Sequence, residues 1–214
     1  MTDAILGIDA VSKVCSVGIY INEQELNMCT NESEKSNFSV LELVESVLNK
    51  DRLIAAIVVI SGPGTYSGLR TGLSSTYGLA LGLNCPTAAI TTFEAIAESV
   101  LGKFERALLV HPLGRKNFAI HELSEQKLKG KVQIVDTVRL HKFKDDGQIL
   151  VGESCSMFGG YEVSSKDRLG AVLKNFDVSR ASHTIDQAWY LTDPKITSPK
   201  IPFPTSAQRS LPPR

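Results

Sequence analysis

Apolar and polar residues follow different periods along this chain, and each period predicts an element. "AILGIDAV" is a short apolar run ending in a carboxylate. "CSVGIYIN" and "ELNMCTN", parted by the polar "NEQ", read as two strands of a meander. Ser39 to Glu42 fits the S-x-x-E capping box and opens a helix over "SVLELVESVLNK". Val40, Leu41, Leu43, Val44, Val47 and Leu48 give that helix a broad apolar face, with Glu42, Glu45 and Asn49 on the wet one. "LIAAIVVIS" has no alternation, the mark of a strand covered on both sides. "PTAAI" is a further strand and "TTFEAIAESVLGK" a further helix. The second half restarts with strand text, "RALLVHP", "NFAIHELS", "KVQIVDTV" and "GQILVGE", with one clear helix, "SKDRLGAVLKNF". A soft boundary falls near Gly102. Each half begins with adjacent strands and then brings in helices, so the fold class is α/β or α+β with mixed sheets.

Between the strand "LIAAIVVIS" and the strand "PTAAI" lies the stretch that breaks the pattern, "SGPGTYSGLRTGLSSTYGLALGLN". A glycine-rich turn leads into helix-like text whose only charge is Arg70, and the next charge is Glu94. A P-loop would need lysine and a hydroxyl after its last glycine, where Leu69 and Arg70 stand here. A dinucleotide fingerprint needs G-x-G-x-x-G; Gly62, Gly64 and Gly68 are spaced one residue too widely. Protein binding is the stronger reading. A helical glycine costs about 0.8–1.0 kcal/mol relative to alanine, and Gly68, Gly72, Gly78 and Gly82 call for something that uses the space. A helix resting on its own sheet should carry charges on its wet back, and this one carries none. Either it is wholly buried or a partner covers its second face, and the partner is favoured.

Composition narrows the classes. With 214 residues, 43% of them hydrophobic, the chain can bury a core as one large domain or two small ones. Lys+Arg and Asp+Glu balance at 23 each, so no whole-chain field draws in nucleic acid or an acidic membrane. The exception is the Pro-rich tail from Lys195, which is basic and expected to be flexible, with a minor RNA or partner contact as the sharper alternative. Four scattered cysteines, no signal peptide and no apolar run near the roughly 20 residues of a membrane span predict a cytoplasmic location. Catalytic constellations are thin. His111, His121, His141 and His183 form no metal-ligand pair, and there is no G-x-S-x-G elbow. Asp9, at the end of the first strand, is the one carboxylate placed as an active-site acid would be; hydrogen bonding to the adjacent turn is its equal alternative.

"ILGIDAVSKVCSVGIYIN", "VVISGPGTYSGLRTGLSSTYGLALGLNCPTAAITTFEAIAES" and "WYLTDPKITSP" resemble the TsaB (YeaZ) family. The resemblance covers nearly all of residues 4 to 102 and the block around Tyr190 to Pro194. It implies an α/β, actin/Hsp70/sugar-kinase-like (ASKHA) fold. Two lobes with mixed sheets are expected: residues 1–102, carrying the partner-binding helices, and a smaller, degenerate lobe at 103–194, followed by the tail 195–214. It further implies a non-catalytic scaffold and activating subunit, not an enzyme. Such a subunit binds a TsaD transferase subunit and works with the TsaE ATPase. The complex makes threonylcarbamoyladenosine at position 37 of tRNAs reading ANN codons. No catalytic, cofactor or metal residue is expected in this chain; ATP and metal are expected in the partner subunits, and tRNA only as the substrate of the complex.

Docking in the family uses the helix before the "VVISGPG" strand and the helix after it, and isolated members often pair with themselves there. The resemblance therefore assigns the interface to Leu41, Val44, Val47 and Leu48 on the first helix. On the second it assigns Leu69, Gly72, Leu73, Ser75, Thr76, Tyr77 and Ala80. The chain departs from the family pattern at Asp9-Ala10-Val11-Ser12, at Asn37-Phe38-Ser39 and at His111 to Lys116. A nucleotide-binding phosphotransferase of the same fold is the alternative, and the missing D-x-G-[ST] loop after the first strand weighs against it. A peptidase lacks its metal-ligand pair.

Overall fold

The computed structural model describes residues 4–21, 24–31, 39–48, 53–114, 116–184 and 191. The proline-rich tail and all of the Tyr190 to Pro194 block except Leu191 lie outside these residues, as do Asn37, Phe38, Asn49, Lys50 and Arg115. The chain runs β1 (Ala4–Asp9), β2 (Ser16–Ile21), β3 (Glu25–Thr30), α1 (Val40–Val47), β4 (Ile54–Ile60), α2 (Tyr66–Leu83), β5 (Thr87–Ile90) and α3 (Thr92–Ser99). The second half runs β6 (Arg106–Gly114), β7 (Asn117–Ser124), β8 (Lys127–Asp136), α4 (Thr137–Asp145), β9 (Leu150–Gly152), β10 (Tyr161–Glu162) and α5 (Ser165–Asn175).

Two five-stranded sheets share one plan. The first has the order β3-β2-β1-β4-β5, antiparallel through β3, β2 and β1 and parallel from β1 to β4 to β5. The second has the order β10-β9-β6-β7-β8, with the same antiparallel meander and the same two parallel additions. This common plan is the physical content of two halves that each start with adjacent strands.

Alternation on β1 and β4 sends residues to two separate cores. Leu6, Ile8 and Ile57 meet Val40, Leu43 and Val44 of α1, with Leu79 and Ala80 of α2 packed alongside. Ile5 and Val58 meet Leu169, Val172 and Leu173 of α5 on the other face. The run "LIAAIVVIS" is therefore covered on both sides, as its unbroken hydrophobicity predicts. Helix α5 belongs to the second half of the sequence yet lies on the first sheet. Gly7 and Gly18, opposite one another on β1 and β2, leave the room that Leu173 fills. Helix α3 faces the second sheet, with Phe93, Ile96 and Val100 against Ala107, Leu109 and Ala119.

Local signals set the helix starts. Ser39 and Glu42 form the expected capping box on α1, and Thr91 with Glu94 and Ser164 with Asp167 repeat it on α3 and α5. One helix departs from the sequence reading: "KVQIVDTV" does not continue as strand to its end. β8 stops at Asp136, whose carboxylate accepts from Arg139 N at 2.9 Å and caps α4. Only Leu140 of α4 is buried, so the helix has no apolar stripe to announce it.

Candidate functional site

Helix α2 begins where the glycine-rich turn meets the loop after β1. Thr65 caps it, its hydroxyl accepting from Gly68 N at 3.3 Å, while Thr65 N donates to the Val11 carbonyl at 2.7 Å. The Ala10–Val11 backbone lies directly against the turn. A Cβ on Gly68 would overlap the Ala10 carbonyl oxygen, and one on Gly64 would overlap Val11. The concave side of this turn is thus filled by the chain's own backbone.

The second half of α2 is different. Gly78 and Gly82 have nothing within 4 Å of where a Cβ would stand. Leu81 is 86% exposed and Leu83 45%. Asn84 closes the helix in the left-handed conformation at φ 50°. The solvent side from Tyr77 to Leu83 therefore presents leucines and bare glycine backbone with no charge.

The expected interface set divides on this geometry. Val44, Leu69, Gly72, Leu73 and Thr76 are buried in the chain's own core, with Thr76 fully buried and Leu69 1% exposed. Their placement on a partner face is corrected: they hold α1 and α2 to the first sheet. Gly72 looks at Ala10 Cβ, 3.4 Å from where its own Cβ would be. Leu41 is exposed, and Val47, Leu48, Ser75, Tyr77 and Ala80 are half-buried along the α1–α2 side. Leu81, Leu83, Gly78 and Gly82 extend this face beyond the expected set. The signal for them was in the sequence, since the charge-free stretch does not stop at Ala80.

Asp9 lies in a buried ion-pair cluster. The Arg168 guanidinium, fully buried on α5, grips it from Nε to Oδ2 at 2.6 Å and from Nη2 to Oδ1 at 3.2 Å. Arg168 also donates to Glu153 Oε2 at 2.8 Å and to Ser12 Oγ at 2.7 Å, and Ser12 Oγ donates in turn to Glu153. Burial pushes the Asp9 carboxyl above its usual range, against the pull of Arg168. Burial works against the guanidinium charge too, but Asp9 and Glu153 outweigh it and hold Arg168 protonated. His111, on β6, is fully buried with its Nδ1 3.7 Å from Glu153. Burial, helped by the Arg168 charge, keeps its ring neutral, with its pKa well below the ordinary value. Its ring nitrogens have no hydrogen-bond partner among the described residues. The cluster ties β1, β6, the end of β9 and α5 together. Asp9 is a buried ion-pair member, and the turn hydrogen bond allowed by the sequence is also present, from Val11 N at 3.3 Å. The described residues contain no group of three or more His, Cys, Asp or Glu placed to hold a metal, and no described helix is long and apolar enough to cross a membrane.

Taken together, two five-stranded mixed sheets on one plan, with helices packed on them, define an α/β fold consistent with the expected ASKHA-like one. The fold matches that of YeaZ from Pseudomonas aeruginosa with a TM-score of 0.61 at 17% identity, over 83% of this chain and 93% of that one. The family model described as "TsaD: tRNA N6-adenosine threonylcarbamoyltransferase" matches residues 33–131. Among curated proteins, the "tRNA threonylcarbamoyladenosine biosynthesis protein TsaB" of Buchnera aphidicola (subsp. Schizaphis graminum) is 23% identical over 54% of this chain and 57% of its own. The Escherichia coli K12 protein of that name is 29% identical over 46% of this chain and 45% of its own. By sequence, about half of this chain is similar to proteins named TsaB. The chain spans about half the length of the curated relatives it matches.

Proposed function

We propose that this chain is a non-catalytic subunit in the biosynthesis of threonylcarbamoyladenosine on tRNA. It would dock onto a TsaD-like transferase through the outer side of α2 from Tyr77 to Leu83 together with Leu41 and Leu48 of α1. A TsaE-like ATPase belongs to the larger assembly, and tRNA is the substrate of the whole. The same surface would serve a homodimer when the partner is absent.

The observation that carries this reading is the charge-free end of α2. Leu81, at 86% exposure, sits between two helical glycines whose open flanks no part of the described chain uses. Exposed leucine beside bare helix backbone is what a closely packed helical partner needs. The absence of catalysis is supported by two features: Asp9 is held by Arg168, and the glycine turn is filled by Ala10 and Val11.

The test is titration of the purified chain with the TsaD-like protein of the same cell. Leu81→Glu places a charge in the contact without touching the core, and affinity should fall at least about tenfold, or 1.4 kcal/mol. The melting temperature of the isolated variant should stay that of the parent. Undiminished affinity in Leu81→Glu would remove α2 from the interface.

A further inference from the structure

The outer face of the second sheet is only partly covered. Helix α4 and the 3-10 turn at Cys155–Phe158 seal the end around Val110, Phe118 and Val135. At the other end a groove of about 510 Å³ stays open. Its floor is apolar, formed by Leu108, Ile120 and Phe143, and its rim is basic, formed by Arg106, Lys129 and Lys131. Against these three cations the lining holds one carboxylate, Glu122, which lies 3.6 Å from Arg106. Gln133 and Gln148 add amide donors and acceptors at the mouth. Lys127 continues the basic row on β8, the edge strand of the sheet.

We propose that this groove is an RNA contact: it takes one or two nucleotides of an RNA strand, phosphates on the lysine rim and a base against the floor. Lysines on an edge strand also keep other strands from pairing with it. That duty requires neither a groove nor an apolar floor. Phe143 on that floor, with the Arg139 guanidinium over it at 5.3 Å from its centroid, adds an aromatic ring and a further cation, the two kinds of group that single-stranded nucleic acid uses without reading sequence. The groove opens to solvent and its cations are exposed at the rim, which suits a polymer backbone lying across it more than an enclosed small ligand. The choice of RNA over another polyanion rests on the tRNA-modification reading.

The experiment is fluorescence anisotropy of the full chain with a labelled, unmodified tRNA transcript that reads an ANN codon, across a salt series. Lys129→Glu/Lys131→Glu should weaken binding at least about tenfold and lower the slope of log affinity against log salt by roughly two. Lys166→Glu/Lys174→Glu on α5 should leave both unchanged. Both pairs are solvent-exposed, so melting temperatures should match the parent. Equal losses from the two pairs would mean a diffuse field and would overturn the groove. So would polyglutamate competing as well as RNA, or parent binding weaker than about 100 μM at low salt. Titration of the same groove variant with the TsaD-like protein separates the two readings: the partner should bind it as tightly as the parent.

Discussion

The two halves of α2 carry the same kind of residue for opposite reasons. From Tyr66 to Thr76 the glycines serve the chain itself, because Gly68 and Gly72 let the helix settle onto the Ala10–Val11 loop. From Tyr77 to Leu83 they serve nothing within the described chain, for Gly78 and Gly82 border open space. A helical glycine costs about the same wherever it stands. What a methyl group would meet at that position tells whether the cost is offset inside the molecule or is left for another molecule to offset.

The strongest way to break the comparison is to loosen the anchored half from behind. Asp9 leads straight into the loop on which α2 rests, and Arg168 fixes Asp9 from a helix 159 residues away. Arg168→Met leaves a buried carboxylate unpaired, which typically costs about 3–5 kcal/mol. Melting should fall by about 10 °C, and hydrogen exchange should quicken in residues 66–76 while 78–83 hold their parent rates. The double variant Asp9→Asn/Arg168→Met should recover much of the loss. A melting point unmoved by Arg168→Met would mean that the cluster carries no structural weight.

Gly68→Ala comes next. Its methyl group meets the Ala10 carbonyl, a backbone atom that cannot swing aside. Overpacking of about 1–3 kcal/mol then opposes the roughly 1 kcal/mol that alanine gains in a helix. The variant should be less stable than the parent in urea, although alanine is the better helix former. A gain in stability would show that the loop moves freely and that α2 is less anchored than its contacts imply.

Reading the sequence reached the elements whose causes are local. Ser39 and Glu42 stand three residues apart and cap α1 as their spacing requires, and the unbroken "LIAAIVVIS" became the strand covered on both faces. The uncharged text of α2 marked a helix that water does not fully surround. It did not say which of its sides was inside, since leucine, threonine and glycine occupy both. Leu69, Gly72, Leu73 and Thr76 of α2, which the resemblance assigns to the partner face together with Val44 of α1, all point inward. Helix α4 carries no such signal, because it buries a single leucine. The Asp9–Arg168 pair had no signal at all: neither residue has a neighbour in sequence that predicts the other, and only the return of α5 to the first sheet joins them.

The smallest expected effect is also the most telling. Gly78→Ala adds one methyl group to the outer side of α2, where nothing lies within 4 Å. In the isolated chain the change should be stabilising by about 0.5–1 kcal/mol, because alanine loses less backbone freedom on forming a helix. The melting temperature should rise by roughly 1–4 °C, the reverse of Gly68→Ala ten residues earlier on the same helix. Binding to the TsaD-like protein should move the other way. A partner backbone seated against Gly78 has no room for the methyl group, and affinity should drop even as the free chain becomes more stable. Opposite signs in the two measurements on one variant cannot come from damage to the fold, since damage lowers both. Higher stability with undiminished affinity would mean that Gly78 answers to no partner, and the contact would have to be sought nearer Leu81 and Leu83.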